Sequence, residues 1–204
     1  MFKIYRKKTV NKLRISDGYT IIELLVSISI IAVISGVFLM NYKAADRQFL
    51  LNQAVQQVAS DLRQAQNYAL GQKEFNGTPP EGGWGIYFRR VNPNDEYYIL
   101  FADTATGSEA HLYDSGELYG NGNKKEIFLP KDIVINNNFF DSTPPGKVNA
   151  TVTFIAPDAS VWLCDDVTNC TTNNYNELEI ELEDTKTGNT KRIKMNKYGL
   201  IDIN

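Results

Sequence analysis

Gly18-Tyr19-Thr20-Ile21-Ile22-Glu23, with the apolar run that follows it to Met40, decides how this chain folds. From Leu24 to Met40 there is no charged residue, and counted from Ile21 the run is 20 residues long. At about 1.5 Å per residue that is roughly 30 Å of helix, the thickness of a bilayer's hydrocarbon core. The run carries one carboxylate, Glu23, at its third position. A charge inside a membrane segment is costly and points to a function, with a partner to be identified.

Upstream, Lys3, Arg6, Lys7, Lys8, Lys12 and Arg14 stand against Asp17, so the leader is net +5. A basic flank stays on the cytoplasmic side of a span, which predicts an inside N-terminus and the rest of the chain outside. An ordinary secretory signal also starts basic, but its apolar core is about 7–15 residues and ends in a small-x-small cleavage site. Here the core is longer, and Asn41-Tyr42-Lys43-Ala44-Ala45 is a poor site. An unspecialised anchor accounts for length and orientation but for neither Glu23 nor the Gly18 boundary.

The helical pattern continues past the span. Between Tyr19 and Tyr68 there is no proline, and Gly36 is the only glycine. Leu51, Val55, Val58, Leu62, Ala65 and Ala69 recur at steps of four and three, one face of a helix. Gln53, Gln56, Gln57, Asp61, Arg63, Gln64 and Asn67 occupy the other. The expectation is one helix over 19–70, transmembrane over 21–40 and amphipathic over 44–70, with Gly71 as C-cap glycine. A Leu/Val stripe at this spacing reads as core packing.

From Gly71 the composition turns to β, and 71–204 reads as one globular domain. Asn76-Gly77-Thr78-Pro79-Pro80-Glu81-Gly82-Gly83 is a turn-rich loop. Strands are expected at 84–89 and 97–101 around an Asn92-Pro93-Asn94-Asp95 turn, and at 127–129 and 133–135 around Pro130-Lys131-Asp132. Further strands are expected at 148–156, 160–164, 177–183, 190–196 and 199–203. No second helical pattern appears, so the fold class is α+β: a long N-terminal helix and an antiparallel β-rich head. Gly107 to Asn123 reads as a surface loop.

The first stretch resembles the class III signal of type IV pilins and type II secretion pseudopilins. Basic leader, Gly18, aromatic Tyr19, Thr20, two aliphatics, Glu23 and a membrane-length run all coincide. The resemblance implies that a prepilin peptidase cuts after Gly18 on the cytoplasmic side, leaving 1–18 as leader. Tyr19 is then the first mature residue, N-methylated, where the family usually has Phe; Glu23 is the glutamate at mature position five. The family's proline near mature position 22 is Met40 here, which leans toward a minor or pseudopilin-type subunit. The head is similar to H-type minor pseudopilins and related minor pilins, which implies a two-sheet, sandwich-like domain. Phe154-Ile155-Ala156-Pro157 resembles their penultimate strand and turn, with Asp158-Ala159 in place of the expected glycine, and Tyr198-Gly199-Leu200-Ile201 their closing strand. Implied partners are the peptidase, other pilins or pseudopilins in a helical fibre, and cytoplasmic-membrane lipid before assembly. The implied location is single-pass in the inner membrane, then a pilus or pseudopilus.

The chemistry of that motif follows from elementary arguments. Cutting after Gly18 creates an α-amine at Tyr19 that is largely cationic at neutral pH. Among stacked helices, Glu23 of one subunit can face the Tyr19 ammonium of a neighbour. An unpaired carboxylate in low dielectric is so costly that the pair selects one offset and acts as a register pin.

Cys164 and Cys170 lie outside the cytoplasm on this topology, where a disulfide can form. A metal site is the rival, but two cysteines and one distant histidine, His111, fall short of a zinc ligand set. Asp165, Asp166 and Asn169 are close oxygen donors without EF-hand spacing, so calcium is not expected. Beyond Gly18 the chain holds 15 basic and 23 acidic residues, net −8, which argues against nucleic acid. A DNA-binding minor pilin is the alternative, because Lys186, Lys191, Arg192, Lys194 and Lys197 cluster near the end. The strictly alternating Glu177-Leu178-Glu179-Ile180-Glu181-Leu182-Glu183 places acids where a hairpin would set Arg192 and Lys194 opposite them, neutralising that cluster. No G-x-S-x-G, P-loop or metal spacing is present. No catalytic residue, cofactor or metal is expected, and His111 reads as a surface residue.

Overall fold

The computed structural model describes residues 18–89, 96–104, 111–113, 126–140, 149–165, 170 and 175–204, with the backbone alone for 39–44. Among the described residues, one helix, α1 (Ile21–Leu70), precedes nine strands: β1 (Gly83–Phe88), β2 (Tyr97–Asp103), β3 (Glu126–Phe128), β4 (Ile133–Phe140), β5 (Ala150–Ile155), β6 (Ser160–Asp165), β7 (Glu177–Asp184), β8 (Thr190–Asn196) and β9 (Ile201–Ile203). The fold is α+β, with every strand pairing antiparallel. The chain divides into two compact units, Met1–Lys43 and Ala44–Asn204.

In the first unit, Ile21–Phe38 has a mean hydropathy of 2.5 and none of it is buried within the molecule. It is long and apolar enough to cross a membrane.

In the second unit the helix is amphipathic, and its stripe is buried. Leu51, Val55, Val58, Leu62, Ala65 and Ala69 are at most 2% exposed, while Gln53, Gln56, Arg63 and Asn67 face solvent. Ala54 and Ala59, also buried, widen the stripe. The helix ends in a Schellman pattern: Lys73 N–H donates to Tyr68 O, and Gln72 N–H to Ala69 O. The left-handed residue in that pattern is Gln72 at φ 46°, not the expected Gly71, which sits one position earlier as the cap.

Two sheets complete the head. One has strand order β3-β2-β1-β5-β6 and the other β4-β7-β8-β9. The strands Trp84–Arg89 and Tyr97–Phe101 of the sequence reading pair directly, with Gly85 opposite Phe101. Their Asn92–Asp95 turn lies outside the described residues. β3 and β4 do not form a hairpin: the Pro130-Lys131-Asp132 turn carries the chain from one sheet to the other. Asp132 stands at φ 68°, and its carbonyl accepts from Thr185 N–H and Oγ1, which ties that turn to the β7–β8 turn.

The alternating apolar residues of both sheets meet the helix stripe in one buried cluster. Ile86, Phe88, Leu100, Val152 and Phe154 come from the first sheet, and Ile135, Leu178, Ile180, Leu182 and Ile193 from the second. A bulge between Ile135 and Asn137 shifts the alternation of β4, so Phe140, not Phe139, reaches the core.

Candidate functional site

At the start of α1, Gly18 and Tyr19 precede the first helical residue and are exposed, Tyr19 at 89%. Thr20 is the N-cap. Its backbone N–H and its hydroxyl both donate to Glu23 Oε2, at 2.8 and 2.9 Å, and Glu23 N–H donates back to Thr20 Oγ1 at 3.3 Å. This is a reciprocal capping box, and it satisfies two N–H groups that a helix start otherwise leaves open. Such a cap contributes about 1 kcal/mol to helix stability. The carboxylate read from sequence as unpaired until assembly therefore has partners in its own chain. The sequence signal for it is Thr20-x-x-Glu23, the capping-box spacing.

In the head, Cys164 and Cys170 form a disulfide with Cα atoms 5.6 Å apart. Asp165 beside it is buried and accepts from Tyr175 Oη at 2.8 Å, so it serves a buried hydrogen bond. Asp166 and Asn169 lie outside the described residues. Among the described residues no group of His, Cys, Asp and Glu is arranged to hold a metal ion.

The β7–β8 hairpin sets Glu179 opposite Lys194 and Glu181 opposite Arg192. Arg192 bridges Glu179 and Glu181 at 2.7 Å each, and Lys194 reaches Glu179 at 2.9 Å and Glu177 at 3.4 Å. Glu181, 5% exposed, also accepts from the side-chain amides of Asn136 and Asn137. The carboxylates hold Arg192 and Lys194 above their ordinary pKa values through these hydrogen bonds. Two of the five cations in the basic tail are thus engaged by carboxylates on the same sheet. A third, Lys186, lies 3.7 Å from Asp132.

Near the start of the head, Arg47 contacts two turns. Its guanidinium is 3.0 Å from Asp132 and 3.9 Å from the buried Asp184. The Arg47 hydrogen bond holds the Asp132 carboxyl below its ordinary value. Arg47, Gln48, Asp184, Asn189, Thr190 and Lys191 line a cavity of about 270 Å³.

His111 is not a surface residue. Its side chain is 14% exposed and stacks on Trp162 with ring centroids 4.2 Å apart. Its N–H donates to the fully buried Asp103, and its carbonyl accepts from Thr153. Tyr113 stacks on Tyr87 at 4.8 Å and meets Phe101 edge-on. The segment 111–113 therefore covers the side of β1, β2, β5 and β6 that faces away from the main core. Burial pushes the imidazole below its usual pKa, with the Gly82 carbonyl opposing. Sequence gave no sign of this docking because it depends on pairing of distant strands.

Comparison with protein-family models, curated proteins and solved structures finds no match to this chain.

Proposed function

We propose that the chain is a structural subunit, a minor pilin or pseudopilin, cut after Gly18, N-methylated at Tyr19 and assembled into a type IV pilus or type II secretion pseudopilus. The observation that carries this reading is the junction at Tyr19. An exposed, non-helical Gly18-Tyr19 pair lies directly ahead of a capped, membrane-length apolar helix. The second half of that helix is a core element of a β-rich, sandwich-like head. A peptidase acting at the cytoplasmic face needs an extended peptide bond, and a fibre needs an anchor that can leave the membrane with its subunit. On this reading the subunit first sits in the inner membrane with its head outside.

Assembly exchanges the partners of Glu23. In the single chain the carboxylate takes both Thr20 donors. In a fibre it would face the Tyr19 ammonium of a neighbour, a charged donor that makes a stronger hydrogen bond than the neutral ones it supplements. The alternative, a DNA-binding minor pilin, is disfavoured because Arg192 and Lys194 are held by glutamates.

The test is intact-mass and N-terminal sequencing of the protein purified from the membranes of its own cells. Loss of 1–18 and one methyl group on Tyr19 are expected. An intact leader, or a cut after Met40, would sink the reading.

A further inference from the structure

The head has a cavity at one pole and an exposed knob at the other. The cavity lies against the first turns of the helix in the head, at Arg47, Gln48 and Leu51. The knob is the β8–β9 turn, where Tyr198 is 81% and Leu200 67% exposed. Asn196 builds it: its side-chain oxygen accepts from Tyr198 N–H and Leu200 N–H, each at 3.0 Å. Gly199, at φ 79°, holds the turn so close to α1 that a Cβ there would lie 2.6 Å from the Gln66 amide. Gln48 and Gln66 are about 27 Å apart along a helix rising 1.5 Å per residue. β8 joins the two poles directly, with Thr190 and Lys191 in the cavity and Asn196 at the knob.

Knob and cavity match in chemistry. Tyrosine is the kind of rigid, amphipathic anchor that fills pockets at protein interfaces. The cavity volume of about 270 Å³ has room for one such ring. Its polar lining, Asn189, Thr190 and Lys191, offers partners to a phenol. Lys191 has no ion pair among the described residues. Neither does Asp202, which lies in β9 two residues beyond Leu200 and opposite Lys194.

We propose that the knob of one copy of this chain seats in the cavity of a second copy, Tyr198 entering it and Asp202 pairing with Lys191. Two different patches at opposite poles make a heterologous contact, which repeats without closing and builds a filament. The proposal rests on the fibre-subunit reading, in which parallel copies leave the membrane displaced along the fibre axis, so that the knob of one copy can come level with the cavity of another.

The test uses the full chain as assembled in its own cells. Leu200→Cys combined with Gln48→Cys, with Tyr198 left in place, should give a ladder of disulfide-linked copies under mild oxidation, with neither single variant doing so. Lys191→Glu or Asp202→Lys alone should cut that ladder about fivefold or more, the scale of one lost charge pair at an interface. The charge-swapped pair should restore it. All four positions lie at the surface or the cavity wall, and an unchanged thermal melt keeps misfolding out of the comparison. Val26→Cys with Val33→Cys reports helix packing in the fibre independently. A ladder from that pair but none from Leu200/Gln48 overturns the stacking contact and leaves the fibre reading intact. No ladder from either pair overturns both.

Discussion

Truncating Leu62 to alanine tests whether the second half of α1 belongs to the head. Leu62 is fully buried in the cluster that both sheets share. The lost methylenes are worth roughly 2.4 kcal/mol at about 0.8 kcal/mol each. The unfilled space adds to that, and Leu→Ala changes in cores cost about 2–5 kcal/mol in all. A value near 3 kcal/mol is therefore expected. For a domain of this size 1 kcal/mol moves Tm by about 2–4 °C, so Leu62→Ala should lower Tm by about 6–12 °C. The control is Gln56→Ala on the exposed face, expected within about 0.5 kcal/mol of wild type. Both are read by thermal unfolding of detergent-solubilised protein, with near-ultraviolet circular dichroism as the probe because Tyr98 and Phe88 belong to the same cluster as Leu62. If the two variants melt together, the helix stripe is not packed on the sheets, and the shared core described above is wrong.

Three further outcomes follow. Gln72, exposed at the end of α1, stands at φ 46°, so Gln72→Gly should raise stability by about 1 kcal/mol, and a lowered Tm would contradict that strain. His111 is the only histidine, and its pKa is lowered on folding. The unfolded chain then binds the proton more readily, so stability should fall as pH drops below about 6.5, and His111→Gln should flatten the curve between roughly pH 6.5 and 5; an equally steep curve in the variant removes His111 as the cause. Asp132 is depressed by Arg47, so its contribution is present above about pH 4 and lost in stronger acid; Arg47→Ala should weaken the head at neutral pH yet converge with wild type near pH 2, as acid titrations of the two would show.

What could be read in advance was whatever depends on neighbours in sequence. The stripe from Leu51 to Ala69 is periodic because one helix face must meet a core, and it is buried. The glutamate ladder alternates because a strand has two faces, and the hairpin that follows fixes its register, so the pairing of Glu181 with Arg192 was written into the spacing. What depends on distant strands was not legible. The residues around Pro130 show two apolar runs flanking a turn. Whether such runs pair or part is decided by which strands elsewhere offer an open edge. Here β2 takes β3 and β7 takes β4. His111 was misplaced for the same reason: a polar, glycine-rich surrounding says nothing about Trp162 waiting across the sheet.

At Glu23 a local and a distant signal share one residue, because Thr20-x-x-Glu23 is a capping box as well as a charge in an apolar run. A lone carboxylate in a membrane segment invites a search for a distant cation. The nearer donors, Thr20 N–H and Oγ, already satisfy it. This changes what Glu23→Ala does. The variant loses a cap as well as an intersubunit partner, so poor assembly alone would not separate the two roles. Glu23→Gln does: its amide oxygen can still accept from Thr20, supporting the helix start, but it cannot offer a charge to an ammonium. If the register pin is the function, Glu23→Gln should insert and be cut normally yet assemble as poorly as Glu23→Ala. Assembly of Glu23→Gln at wild-type levels would assign the residue to the cap alone.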